Sequence, residues 1–325
     1  MNYKIIKFNT SYGSSNIGDY IINESADKEL AYLFDENFVI NYPTHTPVIH
    51  FYQSLNNNLL IKNCNNAKYK FLCGTNILAK NMIRLWPNWN VNIFGRKPYR
   101  GTILVGCGMA GNFKKTNLYT KFLYKSILSK DYIHSTRDEK TKRFLEGMGY
   151  RAINTGCVTM WQLTSSHCSQ IPHSKSDSVV FTLTDYCRDY DRDGKMLEVL
   201  RKNYKNIYYW VQGSNDYEYL KDISEDISDI TLLYGLDSYR KVLKETKIDY
   251  VGTRLHAGIF AMQNKKRSII IMVDNRAKDI KETYGLPAIA REDIDKLDCF
   301  INSSFATSID IDEEKITEWK AQFRP

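Results

Sequence analysis

The chain has 325 residues, 43% hydrophobic and 25% charged, the balance of an ordinary globular protein of about two domains. This excludes a disordered chain, a collagen-like repeat and a coiled-coil rod. The formal charge is +8 and the pI about 8.9; residues 1–160 carry 21 basic against 10 acidic side chains, and residues 161–325 carry 24 against 27.

Short β-rich runs alternate with helical patterns along the chain. Residues 3–8 read as a strand. Gly18-Asp19 opens a helix with Ile22, Ala26, Leu30 and Leu33 on one face. Residues 69–73 and 102–107 are apolar strands ending in glycine turns, 118–128 a helix, 132–135 a strand, and 138–148 a helix closed by Gly149. Residues 165–177 are polar, contain Pro172 and have no period; they read as a linker, with His167-Cys168 in solvent. The alternation restarts with strands at 178–184, 206–211, 249–252 and 267–273. Between and after them come helices at 194–203, 237–246, 255–262 and 275–284, and a last helix spans 312–323.

This pattern predicts an α/β protein of parallel sheets with right-handed crossovers. Two such blocks imply two Rossmann-like domains facing across a cleft, with ligands beyond the strand carboxyl ends. The expected division is 1–164, the linker 165–177, 178–302, and 303–325 as a helix packing back on the first domain.

No run of about 18 apolar residues spans a bilayer. Residues 1–10 lack the apolar region of a signal peptide, so a cytoplasmic location is expected. Between Glu36 and Asp131 there is no acidic residue and there are 13 basic ones. That asymmetry points to an anionic partner: lipid headgroups, a phosphorylated substrate or nucleic acid. The plain alternative is a surface bias in a chain rich in Asn, Lys, Ile and Tyr. No nucleic-acid-binding motif is present. Arg84-Leu85-Trp86-Pro87-Asn88-Trp89 and Phe94-Gly95-Arg96-Lys97 mix aromatic and basic residues, as peripheral membrane binders do. Association with the cytoplasmic membrane face is therefore expected, unless the tryptophans are core. The seven cysteines lack any C-x-x-C pair, so no disulfide framework, metal site or cofactor is called for.

Four loops follow predicted strands. Gly13-Ser14-Ser15-Asn16-Ile17-Gly18-Asp19 precedes a helix N-terminus, which suits an anion or a hydroxyl; a plain turn is the alternative. Gly106-Cys107-Gly108-Met109-Ala110-Gly111 resembles a phosphate loop without matching either nucleotide-binding pattern. Ser135-Thr136-Arg137-Asp138-Glu139 puts an arginine at a strand end. Gly252-Thr253-Arg254-Leu255-His256-Ala257-Gly258 puts an arginine fork and a titratable imidazole two residues apart. Asp185, Asp189, Asp191 and Asp193 form an acidic cluster that matches no calcium loop.

Taken in order with Asn154-Thr155-Gly156-Cys157 and Asp274-Asn275-Arg276, these loops resemble the polysaccharide pyruvyl transferase family. The resemblance implies a GT-B-like fold and phosphoenolpyruvate (PEP) as donor. The product would be a pyruvate ketal on a sugar of a polysaccharide or its lipid-linked precursor. It implies His256 as catalytic residue, and Arg137, Arg254, Leu255 and Arg276 as PEP contacts. Asn16, Gly18, Asp19, Gly106 and Gly108 are the acceptor or loop candidates. Many members carry Tyr-Asp-x-Lys near Asp274, where Val273 and Arg276 stand here. The family's triple-glycine turn reads Cys73-Gly74-Thr75-Asn76. The competing expectation is a nucleotide-sugar glycosyltransferase of the same fold class.

Overall fold

Parallel strands with helical crossovers make up both halves of the chain. The computed structural model describes residues 3–55, 59–83, 88–111 and 115–323. Contacts divide it into two units. One gathers the described residues of 1–14, 22–161 and 312–325; the other gathers 15–21 and 162–311.

In the first unit the strands are β1 (Lys4–Asn9), β2 (Phe38–Pro43), β3 (Tyr69–Cys73), β4 (Leu78–Ala79), β5 (Thr102–Val105), β6 (Met109–Ala110), β7 (His134–Thr136) and β8 (Ala152–Asn154). The helices are α1 (Gly18–Glu29), α2 (Ala31–Phe34), α3 (Leu59–Asn65), α4 (Leu118–Ile127) and α5 (Glu139–Glu146). The main sheet is parallel, in the order β2-β1-β3-β5. An isolated bridge between Cys107, two residues past β5, and Thr136 sets β7 beside the end of β5, and β8 pairs with β7. The short strands β4 and β6 pair with each other. All five residues of β3 and all four of β5 are buried, as strands covered on both faces must be. Lys7 is buried in β1, and its ammonium is held by Asp27 at 2.6 Å. Strand order reverses between β1 and β3, so the loops after Asn9 and Cys73 flank the switch point.

In the second unit the strands are β9 (Ser178–Thr182), β10 (Asn206–Val211), β11 (Ile230–Tyr234), β12 (Ile248–Gly252), β13 (Ser268–Met272) and β14 (Ala288–Ala290). Its helices are α6 (Ser165–Cys168), α7 (Tyr190–Asn203), α8 (Asp216–Ile223), α9 (Gly235–Glu245), α10 (Leu255–Gln263), α11 (Asn275–Tyr284) and α12 (Leu297–Asn302). The sheet order is β11-β10-β9-β12-β13-β14, all parallel. In chain order this is 3-2-1-4-5-6, the doubly wound Rossmann arrangement, with its switch point between β9 and β12.

The chain then reaches α13 (Glu313–Ala321), which packs within the first unit. Trp319 is fully buried, and its indole donates to the Ile133 carbonyl at 2.7 Å. Phe323 packs edge-on against Phe71.

The division at 161/162 differs from the expected boundary at 164. The stretch 165–177 is not a free linker: α6 forms there, capped by the Thr164 side chain. His167 is not in open solvent, since its Nε2 donates to the Met262 carbonyl at 2.9 Å. Among the described residues no helix is long and apolar enough to cross a membrane.

Candidate functional site

The Thr253–His256 turn sits at the end of β12, beside the end of β9. Gly252 is required there: a Cβ would lie 2.6 Å from the Thr182 hydroxyl and 2.7 Å from the Thr182 nitrogen. Thr253 then bonds back to β9, donating its N–H to the Thr182 carbonyl at 3.1 Å and pairing hydroxyls with Thr184 at 2.8 Å. Tyr250 donates its hydroxyl to the Arg254 carbonyl at 2.8 Å. These bonds hold Arg254 at the switch point.

Arg254 was expected to present a fork to a ligand, but most of that fork is already engaged. Its side chain is 3% exposed. Nε donates to the Leu183 carbonyl at 2.9 Å and to Asp216 Oδ2 at 3.2 Å. Nη2 donates to Asp185 Oδ1 at 2.8 Å and to Asp216 Oδ1. Nη1 makes no hydrogen bond among the described residues. Tyr186 packs its ring 5.1 Å from the guanidinium. Burial pushes the Asp216 carboxyl up, and the adjacent guanidinium opposes that shift. The pairing depends on Gly213, where a Cβ would come within 2.3 Å of Arg254 Nη2.

Leu255 and His256 begin α10, and His256 is buried. Gly258 lets that helix press on β13, since a Cβ there would meet Ile270 at 2.6 Å. Arg276 lies in the first turn of α11; its side chain is outside the described atoms. Two others of the acidic cluster are structural, and Asp191 is exposed. Asp189 caps α7, and Asp193 pairs with the buried Arg291 at 2.5 Å.

The loop at 16–19 joins the same unit. Asn16 Oδ1 accepts from the Gly18 amide at 2.9 Å and from Gln212 Nε2 at 2.7 Å. Ile17 donates to the Gln212 carbonyl and Asp19 to the Asn16 carbonyl, both at 3.1 Å. The amides of residues 17–19 are therefore occupied within the protein, as in the plain-turn alternative. Gly18 serves close packing, 2.9 Å from Gln212 at its Cβ position.

Three other loops converge in the first unit. Gly106 donates to the Ser135 hydroxyl at 2.7 Å, Cys107 to the Ser135 carbonyl at 3.3 Å, and Gly108 to the Thr75 carbonyl at 2.9 Å. Ser135 in turn shares a 2.6 Å bond with Thr155. The likeness to a phosphate loop fails here, because none of these three amides is left to meet a phosphate. Instead the glycines admit neighbours: a Cβ on Gly106 would be 2.9 Å from the Val158 nitrogen, and one on Gly108 would be 2.3 Å from Arg137 Nε. Arg137 follows β7 with its side chain 9% exposed. It makes no side-chain hydrogen bond among the described residues. Its ion-pair contact is Asp138 at 3.6 Å. Burial pushes the Cys73 thiol up to about 12, and Cys107 higher still, so neither is a thiolate nucleophile.

Asp216, Gln212 and Gly213 were missed by sequence reasoning. Asp216 reads as an ordinary helix-start carboxylate. Gln212-Gly213 follows β10 and could have been found as a strand-end loop.

No curated protein matches the chain. Its fold resembles S. aureus MnaA solved with UDP, at 10% identity over 98% of this chain and 94% of that chain, with a TM-score of 0.54. It also resembles UDP-GlcNAc 2-epimerase from Neisseria meningitidis bound to UDP-GlcNAc, at 10% identity over 98% and 99%, TM-score 0.50. A third similar structure is a UDP-N-acetylglucosamine 2-epimerase, at 11% identity over 99% and 95%, TM-score 0.52. These likenesses concern the fold, a GT-B-like pair of Rossmann units. The family model for polysaccharide pyruvyl transferase matches residues 16–275, a span that contains both arginine turns, and the chain belongs to that family.

Proposed function

We propose that the chain transfers the pyruvyl group of PEP onto two hydroxyls of a sugar, forming a pyruvate ketal and releasing phosphate. The observation that carries this reading is the seat of Arg254 and His256 at the β9–β12 switch point, within a chain of this family. PEP carries a carboxylate and a phosphate and needs cationic partners. The Nη1 edge of Arg254 is assigned to it. The start of α10 at Leu255 and the basic group at Arg276 complete the donor set.

His256 is assigned as the general acid. It protonates the PEP methylene carbon, and C2 becomes electrophilic. A sugar hydroxyl forms a bond to C2 and gives up its proton. The C2–O bond to phosphorus breaks, and phosphate departs with the electron pair. A second hydroxyl then bonds to C2. Of the two hydroxyl protons, one restores His256 and the other leaves on phosphate.

The acceptor is proposed to be anionic and lipid-linked. A cavity of about 660 Å³ in the first unit supports the anionic part of this, with Lys80, Lys115, Lys121, Lys140 and Arg143 set against one carboxylate, Glu139.

The test is phosphate release from PEP against a panel of free and lipid-linked sugars. His256→Gln is expected to keep PEP affinity within a few-fold and to lower kcat by about 10²–10⁴. A raised KM at unchanged kcat would make His256 a binding residue only. Consumption of a nucleotide sugar without PEP would replace the reading by a glycosyltransferase.

A further inference from the structure

The loop after β3 carries a buried polar atom with no hydrogen-bond partner among the described residues, at the switch point of the first sheet. Gly74 and Thr75 both have positive φ, +69° and +52°. Glycine is obligatory at 74, where a Cβ would overlap Ile22 at 2.0 Å. Thr75 is β-branched, and the left-handed region disfavours it. Such strain persists only where surrounding contacts impose it, and it concentrates at functional sites. Here the imposing contacts are plain. Thr75 accepts from the Gly108 amide at 2.9 Å, and Leu78 donates to the Gly108 carbonyl at 3.1 Å. The loop is thereby clamped on the 106–111 turn, to which Arg137 also bonds, its N–H donating to the Cys107 carbonyl at 3.0 Å.

The clamp orients Asn76. Its backbone carbonyl accepts from Asn88 Nδ2 at 3.4 Å. Its side-chain Oδ1 is buried and has no hydrogen-bond partner among the described residues. That oxygen and Arg137 Nε border the same point, lying 2.8 and 2.3 Å from where a Cβ on Gly108 would be. A buried carbonyl oxygen left unpaired is unfavourable and is rare in native proteins. The neighbouring guanidinium, more than nine-tenths buried, lacks a hydrogen bond too.

We propose that Asn76 is a specificity-determining residue that accepts a hydrogen bond from a hydroxyl of the saccharide acceptor, beside Arg137. The chemistry of the two substrates separates them. PEP offers carboxylate and phosphate oxygens, which an amide oxygen repels. A saccharide offers O–H donors, and an orphaned acceptor oxygen suits only a donor. The assignment rests on the proposed transferase reading for its acceptor, yet saccharide binding can be read without turnover.

The experiment compares the wild type with Asn76→Leu and Asn76→Asp. Methyl β-D-galactopyranoside and methyl β-D-glucopyranoside are titrated by saturation-transfer NMR without PEP, and PEP is titrated alone by calorimetry. Asn76→Leu should weaken whichever glycoside binds by roughly tenfold, the scale of one lost hydrogen bond, with PEP affinity within twofold. Its thermal midpoint should hold or rise, because an unsatisfied buried oxygen is removed. Asn76→Asp keeps an acceptor oxygen and should retain glycoside binding better than Asn76→Leu. A lowered midpoint with unchanged glycoside binding would make Asn76 structural and overturn the proposal. Loss of PEP affinity with unchanged glycoside binding would overturn it in favour of a donor contact. A wild type that binds glycoside but releases no phosphate from PEP defeats the transferase reading and leaves the Asn76 test intact.

Discussion

Arg254 and Arg137 resemble each other in sequence and differ in what the protein does with them. Arg254 is buried with two carboxylates, Asp216 and Asp185, so its charge is compensated before any ligand arrives. The desolvation cost of such a group is tolerable only while its partners remain. Asp216 also accepts from the Gly213 amide at 2.7 Å, so it holds both the guanidinium and the β10 loop. Asp216→Ala should therefore destabilise the second unit by about 3–5 kcal/mol. Asp216→Asn, which keeps an acceptor, should cost less. Urea denaturation followed by amide exchange over β9–β12 measures this. An Asp216→Ala protein of wild-type stability would mean that the pair contributes nothing net. The same reasoning governs the choice of arginine variants. Arg254→Ala strands two carboxylates and confounds binding with folding, whereas Arg254→Lys keeps the charge and removes the fork.

At the level of elements, β7 is tied to β5 by a side chain as well as by backbone. His134 opens β7; its Nδ1 accepts from the Leu104 amide at 3.2 Å, and its Nε2 donates to the Ser129 carbonyl at 2.9 Å. Those two bonds dictate the neutral tautomer with hydrogen on Nε2. A proton on Nδ1 would face the Leu104 N–H. Burial pushes the pKa down from 6.5 to about 4. Between those values the unfolded chain binds a proton that the folded chain refuses, so stability rises with pH there. The contribution is complete above pH 6.5, declines as pH falls through the window and levels off below about 4. Its full size is on the order of 3 kcal/mol. His134→Asn keeps an acceptor for Leu104, and its stability profile should be flatter between pH 6.5 and 4.5. Parallel profiles for the two proteins would show that His134 does not titrate in this way.

The elements that sequence reasoning identified and those it missed differ in burial. Strands at 69–73, 102–105 and 178–182 are fully buried and read as continuous apolar runs. Of the missed strands, β2, β11 and β14 are the edges of their sheets, and β4, β6 and β8 are only two or three residues long. The faces of β2 and β11 are partly solvated; FVINYP is broken by Asn41 and Pro43, whereas ITLLY is an apolar run that sequence reasoning missed. The candidate residues were singled out because they follow predicted strands, and the structure does place Arg137 just after β7 and Arg254 and His256 just after β12. What could not be read was occupancy. Nothing local tells that the amides of 106–108 are bonded to Ser135 and Thr75, or that Asp216, 38 residues from Arg254, claims its fork.

For the whole molecule, the charge asymmetry needs a physical outlet. Arg84, Leu85, Trp86 and Pro87 lie outside the described residues. Trp89, expected at a membrane surface, is instead fully buried in the first core, stacked near Tyr124. An alternative face is present on α4. Thr120, Leu123, Tyr124 and Ile127 point inward, which leaves Leu118, Lys121, Phe122 and Lys125 outward. Leu118 is 83% exposed and Phe122 52%, and the neighbouring loop adds Phe94 at 69%. That loop is tied to the helix: Ile93 donates to the Tyr119 hydroxyl at 3.3 Å, and Arg96 lies 5.8 Å from the Phe122 ring. Exposed apolar side chains interleaved with lysines on one face are what an interfacial helix presents to anionic lipid. Each basic residue near such a surface contributes about 1 kcal/mol, and a buried aromatic side chain about 1.5–3 kcal/mol. The proposed lipid-linked acceptor would then be met at the bilayer surface. Sedimentation with vesicles of phosphatidylserine and phosphatidylcholine should show binding at low salt that 0.5 M salt weakens. Leu118→Ser with Phe122→Ser should reduce it at least tenfold while leaving the thermal midpoint unchanged, because neither side chain is in the core. Equal binding to neutral and anionic vesicles, or wild-type binding by the double variant, would remove α4 as the membrane face and leave the basic stretch to the substrate alone.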